Sequence, residues 1–241
     1  MSSPQFEDGA NSSNSYMSSI LFTFNIFIDG LFRNPTAPFF DKSVADQQKA
    51  VADIFDEMSK AGINPTPHTY STLLHSLLST ATPNLPAARA VLTRMAAEKI
   101  KTSSHIYTIL ITHYFEASPP DLQAIDATWK RMQMEGTRPD HVFFDRMIEG
   151  YARCNEMEKM LHFLRMMPKA GTIPGWLALV EALRLLKHRE EYELCAELVN
   201  DINNEKGLLR LGTRGWKGEE EFWALVSELR MAGLIPKAEI D

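Results

Sequence analysis

The residue types that most often do chemistry are thinly spread along this chain of 241 residues. Its seven histidines lack the His-x-x-x-His and Cys-x-x-Cys spacings that bring metal ligands together. Cys154 and Cys195 are far apart and each falls within a helical pattern, so both are predicted to be free, buried thiols rather than a disulfide or metal ligands. We therefore predict no metal site.

Two further patterns superficially resemble catalytic or cofactor sites. Gly207 and Gly212 have the glycine spacing of a phosphate loop, but the Lys-Ser/Thr pair that contacts phosphate and Mg²⁺ does not follow, which predicts a turn. Acidic runs at 190–191 and 219–221 fall at predicted helix starts, where negative charge is favourable to the helix dipole. Because no nucleophile or base accompanies them, we predict a non-catalytic protein without a cofactor or a small-molecule substrate.

The elements that position these residues are helical hairpins. Residues 141–175 contain two helix-length apolar patterns divided near Asn155, and the second ends in Gly171 followed by Pro174. Similar closing signatures, Gly then Pro, occur at Gly62, Gly136 and Gly233. A hairpin this short cannot bury its apolar faces alone, so the recurrence predicts a stack of repeats.

The pattern divides the chain into three parts. Residues 1–19, rich in Ser and Asn, are predicted to be a disordered tail. Residues 20–202 hold about five helical repeats, at 21–66, 67–103, 104–140, 141–175 and 176–202. Residues 203–241 break the period with a Gly-rich stretch and end in a further helix, which predicts an atypical C-terminal capping segment. Its Trp216, Phe222 and Trp223 either cap the stack or form a docking surface for another protein.

The residues of the repeats resemble a known family. The first helix begins with a pattern such as Thr69–Leu74 (TYSTLL), the second contains one such as Asp53–Met58 (DIFDEM), and a repeat ends with one such as Gly136–Asp140 (GTRPD). Together these resemble the pentatricopeptide repeat family over about three quarters of the chain. The resemblance implies an all-α fold, a right-handed α-α superhelix or solenoid whose first helices line a concave groove.

The resemblance also implies which residues contact RNA. In the family, one residue in the first turn of the first helix and the last residue of the repeat read one base of single-stranded RNA, and a neighbouring side chain stacks on that base. By register, the reading pairs here are Asn25 with Thr66, Ser71 with Ser103, Thr108 with Asp140, and Asp145 with Gly175. The stacking residues are Phe22, His68, His105, Val142 and Leu177. Thr108 with Asp140 resembles the family's guanine-reading pair.

The charge of the chain leaves two classes of partner open. A formal charge of −6 and a pI near 5.7 are unfavourable for holding a polyanion, although most of the family binds RNA in organellar gene expression. The acidic composition, together with the segment Gly215–Gly218 leading into Phe222-Trp223, resembles fungal members that act as assembly factors of mitochondrial respiratory complex I. The alternatives are thus single-stranded RNA and a protein partner such as a respiratory-chain assembly intermediate.

The location of the protein follows from the resemblance alone. It implies mitochondria, whereas the N-terminal residues have neither a secretory signal nor the Arg-rich pattern of a transit peptide. The apolar run at 20–32 is too short for a membrane span and contains Asn25 and Asp29.

Overall fold

The described part of the chain is helical throughout its regular structure. The computed structural model describes residues 23, 25–28, 30–31, 38, 42–80, 83–204 and 212–236. The predictions for the 1–19 tail, Phe22 and Asp29 lie outside these residues. The helices with defined bounds are α1 (Val44–Lys60), α2 (Pro67–Leu78), α3 (Leu85–Ala97), α4 (Ser104–Glu116), α5 (Leu122–Met134), α6 (His141–Arg153), α7 (Met157–Met166), α8 (Trp176–His188), α9 (Tyr192–Asn204) and α10 (Glu219–Met231). The prediction of an all-α chain is confirmed.

The chain forms two compact units, Met1–Ile109 and Leu110–Asp241. The division falls within α4. None of the helices described is long and apolar enough to cross a membrane.

In the first unit, α3 packs against both α1 and α2. Thr66 caps α2: its side chain accepts from the backbone N–H of Thr69, whose own side chain accepts from the N–H of Thr66. This capping box and Pro67, whose missing N–H would have no partner in the first turn, explain why α2 begins here. Tyr70 is buried and donates its hydroxyl to Glu98, the residue that directly follows α3, so α2 cannot slide along α3 without losing a charge-assisted hydrogen bond.

The turn that closes each second helix requires a left-handed residue. Gly62, Gly136, Gly171 and Gly233 fill this place with φ between 64° and 72°. After α3 the same place is taken by Lys99, at φ 56°. A side chain in this conformation costs on the order of 1 kcal/mol, so this turn is strained where its counterparts are not.

In the second unit, α6 packs on α7 and α8, and α8 also packs on α9 and α10. Its core is aromatic. Trp129 of α5 lies 5.6 Å from Phe143 and 5.4 Å from Phe163 (ring centroids), and Tyr151 stacks on Phe163 at 5.7 Å. Tyr151 also donates to Asp126 at 2.6 Å. The Phe115 ring packs directly on Gly150 of α6: a Cβ at position 150 would lie only 2.4 Å from the ring atoms, so glycine permits this contact.

The C-terminal aromatic residues separate into two groups. Phe222 of α10 is fully buried and lies 5.5 Å from the ring of Trp176, and Trp223 lies 6.1 Å from Trp176. Trp216, by contrast, is 81% exposed. The capping role predicted for this trio therefore fits Phe222 and Trp223 and does not describe Trp216.

Candidate nucleic-acid interface

The predicted base-reading residues of the first unit lie at helix starts and make local hydrogen bonds. Ser71 is buried and donates its hydroxyl to the carbonyl of His68 at 2.8 Å. Thr108 donates in the same way to the carbonyl of Ser104 at 3.0 Å. The Ser103 hydroxyl accepts from the N–H of Ile106 at 3.4 Å. A hydroxyl that donates to its own helix keeps acceptor capacity, so Ser71 and Thr108, although both are buried, each retain an acceptor.

Three further predicted residues, Thr66, Asn25 and Asp140, have structural surroundings of their own. Thr66 belongs to the capping box of α2, and Asn25 is buried with an Oδ1 that has no hydrogen-bond partner among the described residues. In the second unit, exposed Asp140 caps α6 by accepting from the N–H of Phe143 at 2.9 Å. Sequence register alone assigns Thr66 and Asp140 to RNA, whereas the structure shows that each also holds a helix in place.

The fourth pair, Asp145 with Gly175, is brought together by the fold. The N–H of Gly175 donates to Asp145 Oδ1 at 3.0 Å, and Arg214 forms an ion pair with Oδ2. Desolvation by burial raises the pKa of Asp145, while the Gly175 N–H and the Arg214 guanidinium act in the opposite direction. A Cβ on residue 175 would lie 3.0 Å from the Asp145 carboxylate, so glycine permits this approach. Both carboxylate oxygens are thus engaged by the protein itself.

Arg214 is a residue of this site that the sequence does not reveal. Its N–H donates to the carbonyl of Pro174 at 2.9 Å, and its backbone forms an isolated parallel β-bridge with Gly175. Sequence reasoning treats 207–214 as a turn and gives Arg214 no partner. The sequence gives only a general indication of this pair: a carboxylate on the apolar side of a helix, such as Asp145, needs a cation, and the Gly-rich stretch contains arginine.

The basic residues of α6 and α8 are neutralised by acidic neighbours. Glu149 is buried on α6, where desolvation raises its pKa and Arg146 and Arg153 only partly offset the effect. The ion pairs of this face are Arg146–Glu149 (2.9 Å), Arg153–Glu181 (3.2 Å), Arg184–Glu181 (3.4 Å), Arg184–Glu221 and Lys187–Glu228 (2.7 Å). Cations held this way have less charge to offer a phosphate backbone.

The first helices of the N-terminal unit have the opposite character. Helix α2 (Pro67–Leu78) and the part of α4 up to Ile109 contain no Asp, Glu, Lys or Arg. Their polar residues are hydroxyls and histidines, and His68 and His105 are exposed in the first turns. Neutral hydroxyls with exposed rings nearby suit contacts to bases, and no carboxylate on these segments repels a phosphate.

The two thiols are free, as predicted, but only Cys195 is buried, and burial raises its pKa to about 11. Cys154 is half-buried, which corrects the prediction that both are buried. Within the described residues there is no cluster of three or more His, Cys, Asp or Glu that could hold a metal ion.

Comparison with known proteins finds a resemblance to one family. Residues 42–80 match the family model described as pentatricopeptide repeat domain, a stretch that covers α1, the turn at Gly62 and α2. The resemblance to the pentatricopeptide repeat family is confirmed. The sequence has no match among the curated proteins.

Solved pentatricopeptide repeat structures share the fold. The pentatricopeptide repeat domain of Arabidopsis thaliana protein-only RNase P 1, solved with tRNA, superimposes with a TM-score of 0.58 at 12% identity, over 88% of this chain and 98% of that one. Maize PPR10 in complex with an 18-nucleotide psaJ RNA element gives 0.53 at 16% identity, over 91% of this chain. Nuclear proteinaceous RNase P 2 from A. thaliana gives 0.57 at 13% identity, over 93% of this chain.

The matches differ in how much of the other protein they include. This chain spans 32% of the PPR10 chain and 44% of the RNase P 2 chain, but nearly all of the RNase P 1 repeat domain. At these identities the likeness establishes the fold of helical hairpins, which agrees with the predicted fold class.

Proposed function

We propose that this chain is a non-catalytic pentatricopeptide repeat protein that binds single-stranded RNA along the first helices of its hairpins. The observation that carries the proposal is the composition of α2 and the start of α4, where Ser71 and Thr108 keep acceptor capacity on segments that lack carboxylates. The fold supports it, because two of the similar structures are complexes with RNA.

In this proposal Thr108 and Asp140 select guanine, as the family pattern implies. The Thr108 hydroxyl, which donates to the Ser104 carbonyl, accepts from a base edge, and the Asp140 carboxylate accepts from an exocyclic amine. The repeat with Asp145 and Gly175 reads no base, because its carboxylate is already bonded to Arg214 and to the Gly175 N–H.

The test is a selection of RNA from a random pool at low salt, followed by binding measurements on Thr108→Val and Asp140→Asn. We expect Thr108→Val to weaken binding by about 5- to 10-fold, which is the loss of one hydrogen bond. Asp140→Asn keeps the helix cap, since Asn and Asp cap equally well, but replaces an acceptor with a donor and should change the preferred base.

A matched control comes from α5. Thr128 donates to the carbonyl of Ala124 at 2.6 Å, the same bond to a residue four earlier that Thr108 makes, but it lies on a second helix. Thr128→Val should bind RNA like the unaltered chain. Equal binding by the Thr108 and Thr128 variants, or no binding of any RNA by the unaltered chain at low salt, would contradict the proposal.

For the cellular setting we propose mitochondrial gene expression, on the strength of the family resemblance. Fractionation of cells expressing the full-length protein with a C-terminal tag tests this directly. Recovery of the tagged protein outside mitochondria would refute it.

The charge-paired face of α6, α8 and α10 favours a second candidate function, assembly of a protein complex such as respiratory complex I. Alternating acids and bases on this face suit a partner with complementary charges better than a polyanion. This function predicts co-purification with a respiratory-chain intermediate, lost on truncation after Ile202. Co-purification that survives the truncation would remove the support from this face.

A further inference from the structure

The segment Gly212–Gly218 is held in a defined conformation on both sides of Trp216. Before Trp216, Arg214 bonds to Pro174, and the carbonyl of Gly215 accepts from Trp176 Nε1 at 3.1 Å. After it, the Trp216 carbonyl accepts from the N–H of Glu219 at 3.1 Å. The exposure of the Trp216 side chain is therefore a property of an anchored backbone.

Capping of the helical stack does not require Trp216. Trp176 is 5% exposed and Phe222 is fully buried, so they supply the aromatic contacts of the cap. The Trp216 indole is 81% exposed and so adds little to the packing of the cap. An exposed aromatic ring on an anchored backbone is open to a stacking ligand.

The charge beside Trp216 points to the ligand class. Lys217 is exposed, whereas the guanidinium of Arg214 is held by Asp145 and has less charge to offer. An exposed aromatic ring beside an exposed lysine matches a nucleotide, whose base stacks on the ring and whose phosphate is attracted by the ammonium group. The acidic residues that follow, 219–221, lie on the N-terminal turn of α10, where the helix dipole offsets part of their charge.

The segment is also continuous with the predicted groove. Arg214 bridges to Gly175, and a Cβ at Gly218 would lie 3.0 Å from the side chain of Leu177, a residue predicted to stack on a base. Gly218 has φ 95°, which lets the chain pass this close to α8. A nucleotide that lies over Leu177 at the start of α8 is therefore next to the segment that carries Trp216.

We propose that Trp216, with Lys217 beside it, is a stacking site for one nucleotide of single-stranded RNA. The site reads no sequence, because every base has a π-face and the lysine attracts a phosphate rather than reading a base edge. It rests on the proposed RNA-binding function and adds a contact outside the repeat register.

The test compares Trp216→Ala, Trp216→Phe and the control Met231→Ala on the full chain, by filter binding to RNA selected by the unaltered protein. Met231 is also strongly exposed, at 84%, and lies at the far end of α10. We expect about a 5- to 100-fold loss of affinity for Trp216→Ala, the range for one stacked base, with most of it restored by phenylalanine. Met231→Ala should leave affinity unchanged. Lys217→Gln should reduce the slope of log affinity against log salt by about 0.7.

The outcomes separate the two proposals. Full RNA affinity in Trp216→Ala overturns the stacking site and leaves RNA binding by the repeats intact. A loss that phenylalanine does not restore overturns stacking as the mechanism. Failure of the unaltered chain to bind any RNA overturns both proposals. Loss of a protein partner from Trp216→Ala with full RNA affinity also refutes the stacking site and identifies a protein contact instead.

Discussion

The ion pair between Asp145 and Arg214 provides the sharpest test of the C-terminal unit. The Asp145 side chain is 11% exposed and that of Arg214 is 39% exposed. Removing one partner of a fully buried pair costs about 3–5 kcal/mol, and an exposed pair contributes less than about 1 kcal/mol. This pair lies between the two limits, so we expect Arg214→Ala to lower the free energy of unfolding by about 2 kcal/mol.

The experiment is a double-mutant cycle of Asp145→Ala, Arg214→Ala and the combined variant. Urea unfolding is followed by far-ultraviolet circular dichroism. We expect a coupling energy of about 1.5 kcal/mol, because the double variant leaves neither a buried carboxylate nor an unpaired guanidinium. Arg131→Ala, which breaks a more exposed pair with Glu135 on α5, should change stability by less than about 0.5 kcal/mol. A coupling energy below about 0.5 kcal/mol would refute the reasoning.

The pH dependence follows from the direction of the Asp145 pKa. Burial raises this pKa above its ordinary value of 3.8, so the folded chain binds the proton more tightly than the unfolded chain does. The contribution of Asp145 to stability is therefore full below pH 3.8 and is lost as pH rises through the folded pKa. Arg214→Ala removes an opposing cation and should make this loss larger. Asp145→Asn should remove the dependence, and an unchanged profile would contradict the assignment.

Three further substitutions test other features by urea unfolding. Glu149→Gln should stabilise the chain at neutral pH, because burial raises the pKa of Glu149, and the gain should vanish below the ordinary pKa of 4.5; a constant difference across pH would argue against burial as the cause. Gly150→Ala should lower the free energy of unfolding by about 1–3 kcal/mol although alanine favours helix, because the added methyl group would overlap the Phe115 ring. Much of this loss should disappear when Phe115 is replaced by leucine. Equal losses with Phe115 and with leucine would exclude the ring contact as the cause. Lys99→Gly should raise the free energy of unfolding by about 1 kcal/mol, because glycine adopts positive φ without strain, and Gly62→Ala should lower it for the converse reason. A change of the same sign in both variants would disprove strain at this turn.

The sequence predicts the repeat well because its signals are local. Helix starts follow from residues that bond three positions ahead, as Thr66 does with Thr69 and Asp140 does with Phe143. Closing turns follow from glycine with positive φ, and the exception, Lys99, shows that the turn forms even without one.

The parts that sequence reasoning missed depend on contacts between distant residues. Arg214 and Asp145 are 69 positions apart, and the pairing exists only because the Gly-rich segment crosses the start of α8. The exposure of Trp216 has the same origin: the sequence shows three aromatic residues near one another, whereas packing buries Phe222 and leaves Trp216 in water. The division of the chain within α4 has no signal in the repeat pattern.

The location of the tryptophans has a spectroscopic consequence. All four indoles of the chain, at positions 129, 176, 216 and 223, belong to the unit Leu110–Asp241. Fluorescence excited selectively in the indoles therefore reports on this unit alone. The fraction of that fluorescence that iodide quenches comes mainly from Trp216, the most exposed of the four. A tryptophan introduced into Val44–Lys60, in a variant without the other four, would give the N-terminal unit an indole fluorescence signal, so that each unit could be followed separately.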